Sequence, residues 1–206
     1  YFLSYDGQLR RLTDGPNWRI SLLRADARKG DVYFTACRDA SVRECLYKVN
    51  AKGQITALTD TSMNVSGVSF SPDGKYFAAA LSNFTTPTQI RVCRSSDGRG
   101  QVVADKKGPD YDASKYALPQ LIYITVDNGL KLPAYIVYPK NFDPSRKYPV
   151  HVDIYGGPDT PLVKDFWMQP SSRNQWWSAN DIIEVTADCR AAGHNGRAGL
   201  DMVYKH

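Results

Sequence analysis

The sequence predicts a mixed fold: about two blades of a β-propeller, followed by the opening strands of an α/β sheet. Three observations carry that expectation. The first hundred or so residues resemble themselves at shifts of 43 and 46. The acidic residues are 19 Asp against only Glu44 and Glu184, and Asp favours turns where Glu favours helices. Beyond residue 120 the texture changes to β-branched and aromatic runs, interrupted by a polar stretch of helix length.

The repeat defines the first half. RRLTDG (10–15) returns as TALTDT (56–61), and DVYFTA (31–36) returns as GKYFAA (74–79). Each copy runs from a strand through a Gly-containing turn (YDGQ, NAKGQ, SSDGRGQ) into another strand. Periods of this length with several short strands are the signature of propeller blades. Ser71-Pro72-Asp73-Gly74 supplies the turn chemistry, with Pro where φ near −65° is wanted and Gly next. VSGVSF and KYFAAAL flank it as strands. Propellers protect their edges with ~4–8 blades, so we expect this chain to be part of a longer polypeptide.

Composition narrows the function classes. Apolar residues make up 42% and charged residues 23%, a globular balance that excludes the disordered class. The net charge of +5 is spread over single basic residues and pairs such as Arg10-Arg11 and Lys106-Lys107. No basic run suits a phosphate footprint, so no nucleic-acid partner is expected. No apolar run reaches the ~20 residues of a membrane span, and no signal-peptide pattern opens the chain, which starts in what reads as a strand. Cys37 and Cys45 flank CRDASVREC; they read either as a disulfide closing a small loop or as two small strand residues. Cys93 and Cys189 read as core. There is no Cys-x-x-Cys, and no metal or cofactor is expected. Asn64-Val65-Ser66 and Asn83-Phe84-Thr85 are glycosylation sequons, relevant only in a eukaryotic secretory pathway.

The second half is read in order. Residues 1–103 are assigned to the partial propeller, 104–120 to a polar, Gly- and Pro-containing linker, and 121–206 to the second domain. LIYITV, Asp127-Asn128-Gly129 and LKLPAYIVYP form a hairpin about an Asn-Gly turn. FDPSRKYP is a loop, and PVHVDIY is a third strand. SSRNQWWSAN (171–180) is a short helix capped by Ser171 or Ser172, with Trp176 and Trp177 in packing roles. DIIEVTADC is a further strand, RAAGHNGRAG a Gly-rich loop, and LDMVYKH the start of a helix.

One segment invites a chemical reading. In HVDIYGGP a strand ends on Tyr155 and is followed at once by Gly156 and Gly157. Two residues without a Cβ suit a place where something approaches the backbone, and they equally suit a tight turn.

A propeller, a linker, YPVHVDIYGGP and then ADCRAAGHNG together resemble the dipeptidyl peptidase IV branch of the prolyl oligopeptidase family. The resemblance covers nearly the whole chain and implies an α/β-hydrolase domain after the propeller. It implies that Tyr155 points its hydroxyl at the oxyanion, with Gly156 and Gly157 letting the turn pass close to substrate. The chemistry is sound, because a phenol stays protonated at neutral pH and can donate to an oxygen that gains charge. Relatives commonly carry Arg-Gly-Ser-Gly where this chain has Arg190-Ala191-Ala192-Gly193. Asp188 and Arg190 are therefore assigned structural ion-pairing roles. His194 is assigned to a loop and His151 to a strand, and His206 ends the chain. The family's base lies further on, near the end of the hydrolase domain.

The sequence contains no Gly-x-Ser-x-Gly, the elbow on which this fold carries its nucleophile. Its Ser-Asp-His triad follows the fourth strand, so residues 1–206 are expected to be inactive alone. The parent is expected to be a serine peptidase releasing N-terminal dipeptides with Pro or Ala preferred second. The family's paired glutamates, which grip the substrate amine, are absent, and Glu44 stands alone. That leaves open an endopeptidase or acyl-peptide hydrolase parent. The alternative of a different class is a propeller-type binding module without catalysis. The resemblance further implies a peptide substrate, a homodimer and an extracytoplasmic, periplasmic or secreted location.

Overall fold

The computed structural model describes residues 1–15, 19–127 and 129–204, apart from the side chains of 172–174. Asn128 of the expected turn, the side chain of Ser172, and His206 lie outside the described residues. The chain forms two compact units: Tyr1–Leu81 with Ile90–Ala104, and Ser82–Gln89 with Asp105–His206.

The first unit is built of antiparallel meanders. β1 (Phe2–Leu3) and β2 (Leu9–Arg10) pair as a hairpin. β3 (Ile20–Asp26), β4 (Asp31–Ala40), β5 (Arg43–Val49) and β6 (Ile55–Ala57) form a four-stranded sheet in sequence order. β7 (Asn64–Phe70), β8 (Tyr76–Ser82), β9 (Gln89–Arg94) and β10 (Gly100–Asp105) form the next, also in sequence order.

Alternation along β4 and β5 divides the core. Phe34 pairs with Tyr47 and Ala36 with Cys45 on one face of the sheet; these residues cluster with Val49 and Leu12. Tyr33 and Leu46 point to the other face, where they meet Leu58, Val65, Phe77 and Leu81. The repeat thus has a packing meaning. Leu12 and Leu58, equivalent in the two copies, each cover one face of the sheet.

The same register answers the cysteine question. Cys45 stands opposite Ala36, not Cys37, and its buried thiol donates to the Met63 carbonyl at 3.5 Å. All four cysteines are free, so the disulfide reading is not supported. The side chains of both sequon asparagines are hydrogen-bonded. The Asn64 amide oxygen, within β7, accepts the Glu44 N–H at 2.8 Å, and that of Asn83 accepts the Thr85 and Thr86 N–H groups.

The second unit holds a mixed sheet in the order β11-β12-β14-β13, formed by β11 (Gln120–Thr125), β12 (Lys131–Val137), β13 (Val150–Asp153) and β14 (Ile183–Ala187). β11, β12 and β14 pair antiparallel, whereas β13 and β14 run parallel. A parallel pair needs a crossover, and α1 (Ser172–Ala179) lies in it. The Ser171 carbonyl accepts the Gln175 N–H at 3.0 Å, which puts Ser171 at the cap position. Trp177 stacks on His151 of the edge strand β13 at 4.3 Å, while Trp176 is half exposed. The polar stretch before β11 packs on this unit: the Gln175 amide both donates to and accepts from the Ala117 backbone.

The final helix differs from expectation. α2 spans Gly196–Asp201 and starts inside the Gly-rich loop instead of at Leu200. The close packing of α2 explains the shift, since a Cβ on Gly199 would stand 2.4 Å from the Arg190 carbonyl oxygen. Gly199, which reads as a loop glycine by composition, is here a packing glycine.

Candidate functional site

β13 and β14 are parallel and in register from Val150↔Ile183 to Asp153↔Thr186. Their carboxyl ends therefore finish level, and residues 154–160 and 188–195 emerge side by side. Ligands of open α/β sheets bind outside the carboxyl ends of such strands.

Tyr155 sits at this edge, two residues past the end of β13. Its side chain is exposed, at 58%, and makes no hydrogen bond among the described residues. The turn that follows is left-handed at Gly156 (φ 74°) and again at Asp159 (φ 49°). At Gly156 this conformation costs little, because there is no Cβ to clash. Gly157 serves a different purpose. A Cβ there would lie 2.4 Å from Tyr155 Cε1, so the ring lies against the bare glycine backbone. Each of the three positions singled out in the sequence thus has a distinct structural role: an exposed donor, a left-handed turn residue and a bed for the ring.

The loop after β14 underlies this turn. The Cys189 Sγ lies 3.6 and 3.7 Å from the carbonyl oxygens of Gly156 and Gly157, and its one S–H proton is shared between them. The Ala191 carbonyl accepts the Asp159 N–H at 2.8 Å. Cys189, read from the sequence as core, is half-buried at the floor of the turn. Asp188 lies deeper. Its carboxylate accepts the N–H groups of Leu162 (2.9 Å) and Val163 (2.8 Å) and meets His194 Nε2 at 2.7 Å. Both side chains of the Asp188–His194 pair are 2% exposed. Burial pushes the Asp188 pKa up, but the bonds from His194, Leu162 and Val163 outweigh it and hold the carboxyl below the usual range.

Sequence reasoning assigned Asp188 and Arg190 to ion pairs, and each has a partner. Arg190 meets the exposed Asp127 at 3.8 Å, a separation and exposure at which an ion pair is worth little. His194 lies in a loop, as read, but it is buried and bonded. The signal that would have found it is a histidine six residues after a strand-ending aspartate, in an otherwise small-residue loop. A cavity of about 430 Å³ lies beside the turn, lined by Pro158, Leu200, Val203 and Tyr204 among others.

Among the described residues no group of three His, Cys, Asp or Glu is placed to hold a metal ion. Among the described residues no helix is long and apolar enough to cross a membrane.

Three comparisons with known proteins point to one family. The family model for the dipeptidyl peptidase IV N-terminal region matches residues 1–88. A probable dipeptidyl-aminopeptidase B of Aspergillus clavatus is 31% identical over 211 residues, covering 98% of this chain and 23% of that protein. Its counterpart in Talaromyces stipitatus is 33% identical over 205 residues, covering 93% of this chain and 22% of that protein. Among solved structures, the crystal structure of Porphyromonas gingivalis dipeptidyl peptidase 4 superposes with a TM-score of 0.82 at 27% identity, covering 96% of this chain and 28% of that one. The chain thus spans less than a quarter of the length of these curated relatives.

Proposed function

The chain belongs to the dipeptidyl peptidase IV family, and from that membership we propose that it is the part of a serine-type dipeptidyl peptidase that supplies an oxyanion donor, Tyr155. The enzyme removes N-terminal dipeptides, with Pro or Ala preferred at the second position. Residues 1–103 contribute propeller blades, 104–120 connect, and 121–206 open the α/β-hydrolase sheet. The nucleophile, its acid and its base come from sequence outside residues 1–206, in keeping with the absence of Gly-x-Ser-x-Gly.

The observation that carries this reading is the exposed, unbonded Tyr155 at the carboxyl end of a parallel strand, its ring seated on Gly157. As the scissile carbonyl becomes tetrahedral, its oxygen gains charge, and a rigidly held phenol donates to it without reorganising. Gly156 and Gly157 keep the turn low so that substrate can approach. Placement outside the cytoplasm, and a homodimer, belong to the same proposal and rest on the family alone, because the free cysteines lend no support.

The test is direct. Residues 1–206 alone are expected neither to react with a fluorophosphonate serine probe nor to hydrolyse a chromogenic Gly-Pro anilide. A polypeptide of the relatives' full length that contains them is expected to do both. Stoichiometric labelling of the 206-residue chain would overturn the assignment of the nucleophile, and a full-length polypeptide that binds Gly-Pro peptides without cleaving them would favour the binding module.

A further inference from the structure

We propose that the buried Asp188–His194 pair is the positioning element of the Tyr155 turn, setting where the phenol stands. The inference rests on the oxyanion reading of Tyr155 and adds two residues to that site.

The geometry is a hub. A carboxylate only accepts hydrogen bonds, so His194 Nε2 carries the proton that meets Asp188 at 2.7 Å. Two backbone N–H groups, of Leu162 and Val163, converge on the same carboxylate. All of this is sealed from water: both side chains of the pair are 2% exposed and Val163 is 0% exposed. In a low-dielectric setting a fully satisfied network of this kind has one arrangement and enforces it.

What it enforces is the turn. Leu162 and Val163 lie three and four residues beyond Asp159, whose own N–H is tied to Ala191 of the same loop. Asp159 holds φ 49°, a left-handed conformation that a non-glycine residue keeps only when its surroundings over-determine it. The loop that begins at Asp188 therefore grips the chain on both sides of Asp159. With Cys189 bonded to the Gly156 and Gly157 carbonyls, the path from Tyr155 to Val163 has little freedom left. His194 locks the hub from the far end of the loop, six residues on.

The experiment reads position, not turnover, on the 206-residue chain. Tyrosine rings are ¹³C-labelled, and the Tyr155 resonance is assigned by its loss in Tyr155→Phe. Amide exchange is followed at Asp159, Leu162 and Val163, whose N–H groups are bonded to Ala191 and Asp188. His194→Leu, which removes the donor, is expected to shift the Tyr155 resonance and to speed exchange at these amides at least tenfold. Exchange at Ala134 and Tyr135 of β12 is expected to stay unchanged. His194→Gln, which restores an N–H donor, is expected to recover most of both effects. Asp188→Asn, isosteric but with one acceptor fewer, carries the same test with a milder change. An unmoved Tyr155 resonance in His194→Leu would overturn the proposal. So would exchange that accelerates equally in β12, since the pair would then be general scaffolding. Failure of the oxyanion reading is separate: it would appear as an unchanged kcat in Tyr155→Phe while the resonance still responds to His194.

Discussion

At the residue scale, the distance between the Tyr155 ring and residue 157 governs the site. A methyl group on Gly157 would stand 2.4 Å from Cε1, well inside contact distance, so Gly157→Ala is expected to swing the ring off its bed. The predicted signature is a shifted Tyr155 resonance with a thermal midpoint changed by only a few degrees, since the ring is already exposed. Gly156→Ala acts through the backbone instead: at φ 74° a Cβ clashes with its own chain, at a cost of about 1–2 kcal/mol. Asp188 gives a pH prediction. Its folded pKa is depressed, so its contribution to stability is fully present above the unfolded value of about 3.8. It is lost as pH falls through the lower folded value. Urea midpoints of the wild-type chain are expected to hold down to about pH 4 and to drop below it, and Asp188→Asn to flatten part of that drop. The sequence displayed Tyr155, Gly156 and Gly157 openly, because turn chemistry is local. It hid Asp188–His194, because that contact depends on how a loop folds back on its own strand.

At the scale of elements, aspartate is the organising residue. Asp26, Asp60, Asp73, Asp97, Asp105, Asp112 and Asp143 each accept the backbone N–H two residues on. This is the turn-forming habit behind the Asp-to-Glu skew. Helix boundaries were less legible. The WW segment read correctly as a helix because polar and aromatic residues fill it without a breaker. α2 was misplaced because Gly199, there for close packing, looks like a loop residue in a linear string. The repeat was legible as period and turn, and the structure adds what its leucines do. Leu58 is 3% exposed between two sheets, whereas Leu12 is half-buried. Leu58→Ala is expected to cost about 2–5 kcal/mol, as a core truncation does, and Leu12→Ala about half as much or less, by urea unfolding. Equal effects would mean that the two copies bear equal packing.

At the scale of the whole molecule, the chain covers 23% of a relative's length, and on the proposed reading it contributes Tyr155 to a site whose bond-breaking groups lie elsewhere in the polypeptide. Its sheet order, β11-β12-β14-β13 with one parallel pair, brings the loops after β13 and β14 side by side at the strand ends. That order could not be read from residues 121–206, because strand neighbours are decided by tertiary packing and not by succession along the chain. The composition excluded the disordered class and the scattered charge gave no reason to expect a nucleic-acid partner, and the family entered through a handful of residues at two strand ends.

The central claim, that Tyr155 stabilises the oxyanion, is tested most directly by turnover of a Gly-Pro anilide in the full-length polypeptide, wild type against Tyr155→Phe. Loss of one oxyanion donor is predicted to lower kcat by about 10²–10³-fold with KM nearly unchanged. A kcat equal to wild type would contradict the account.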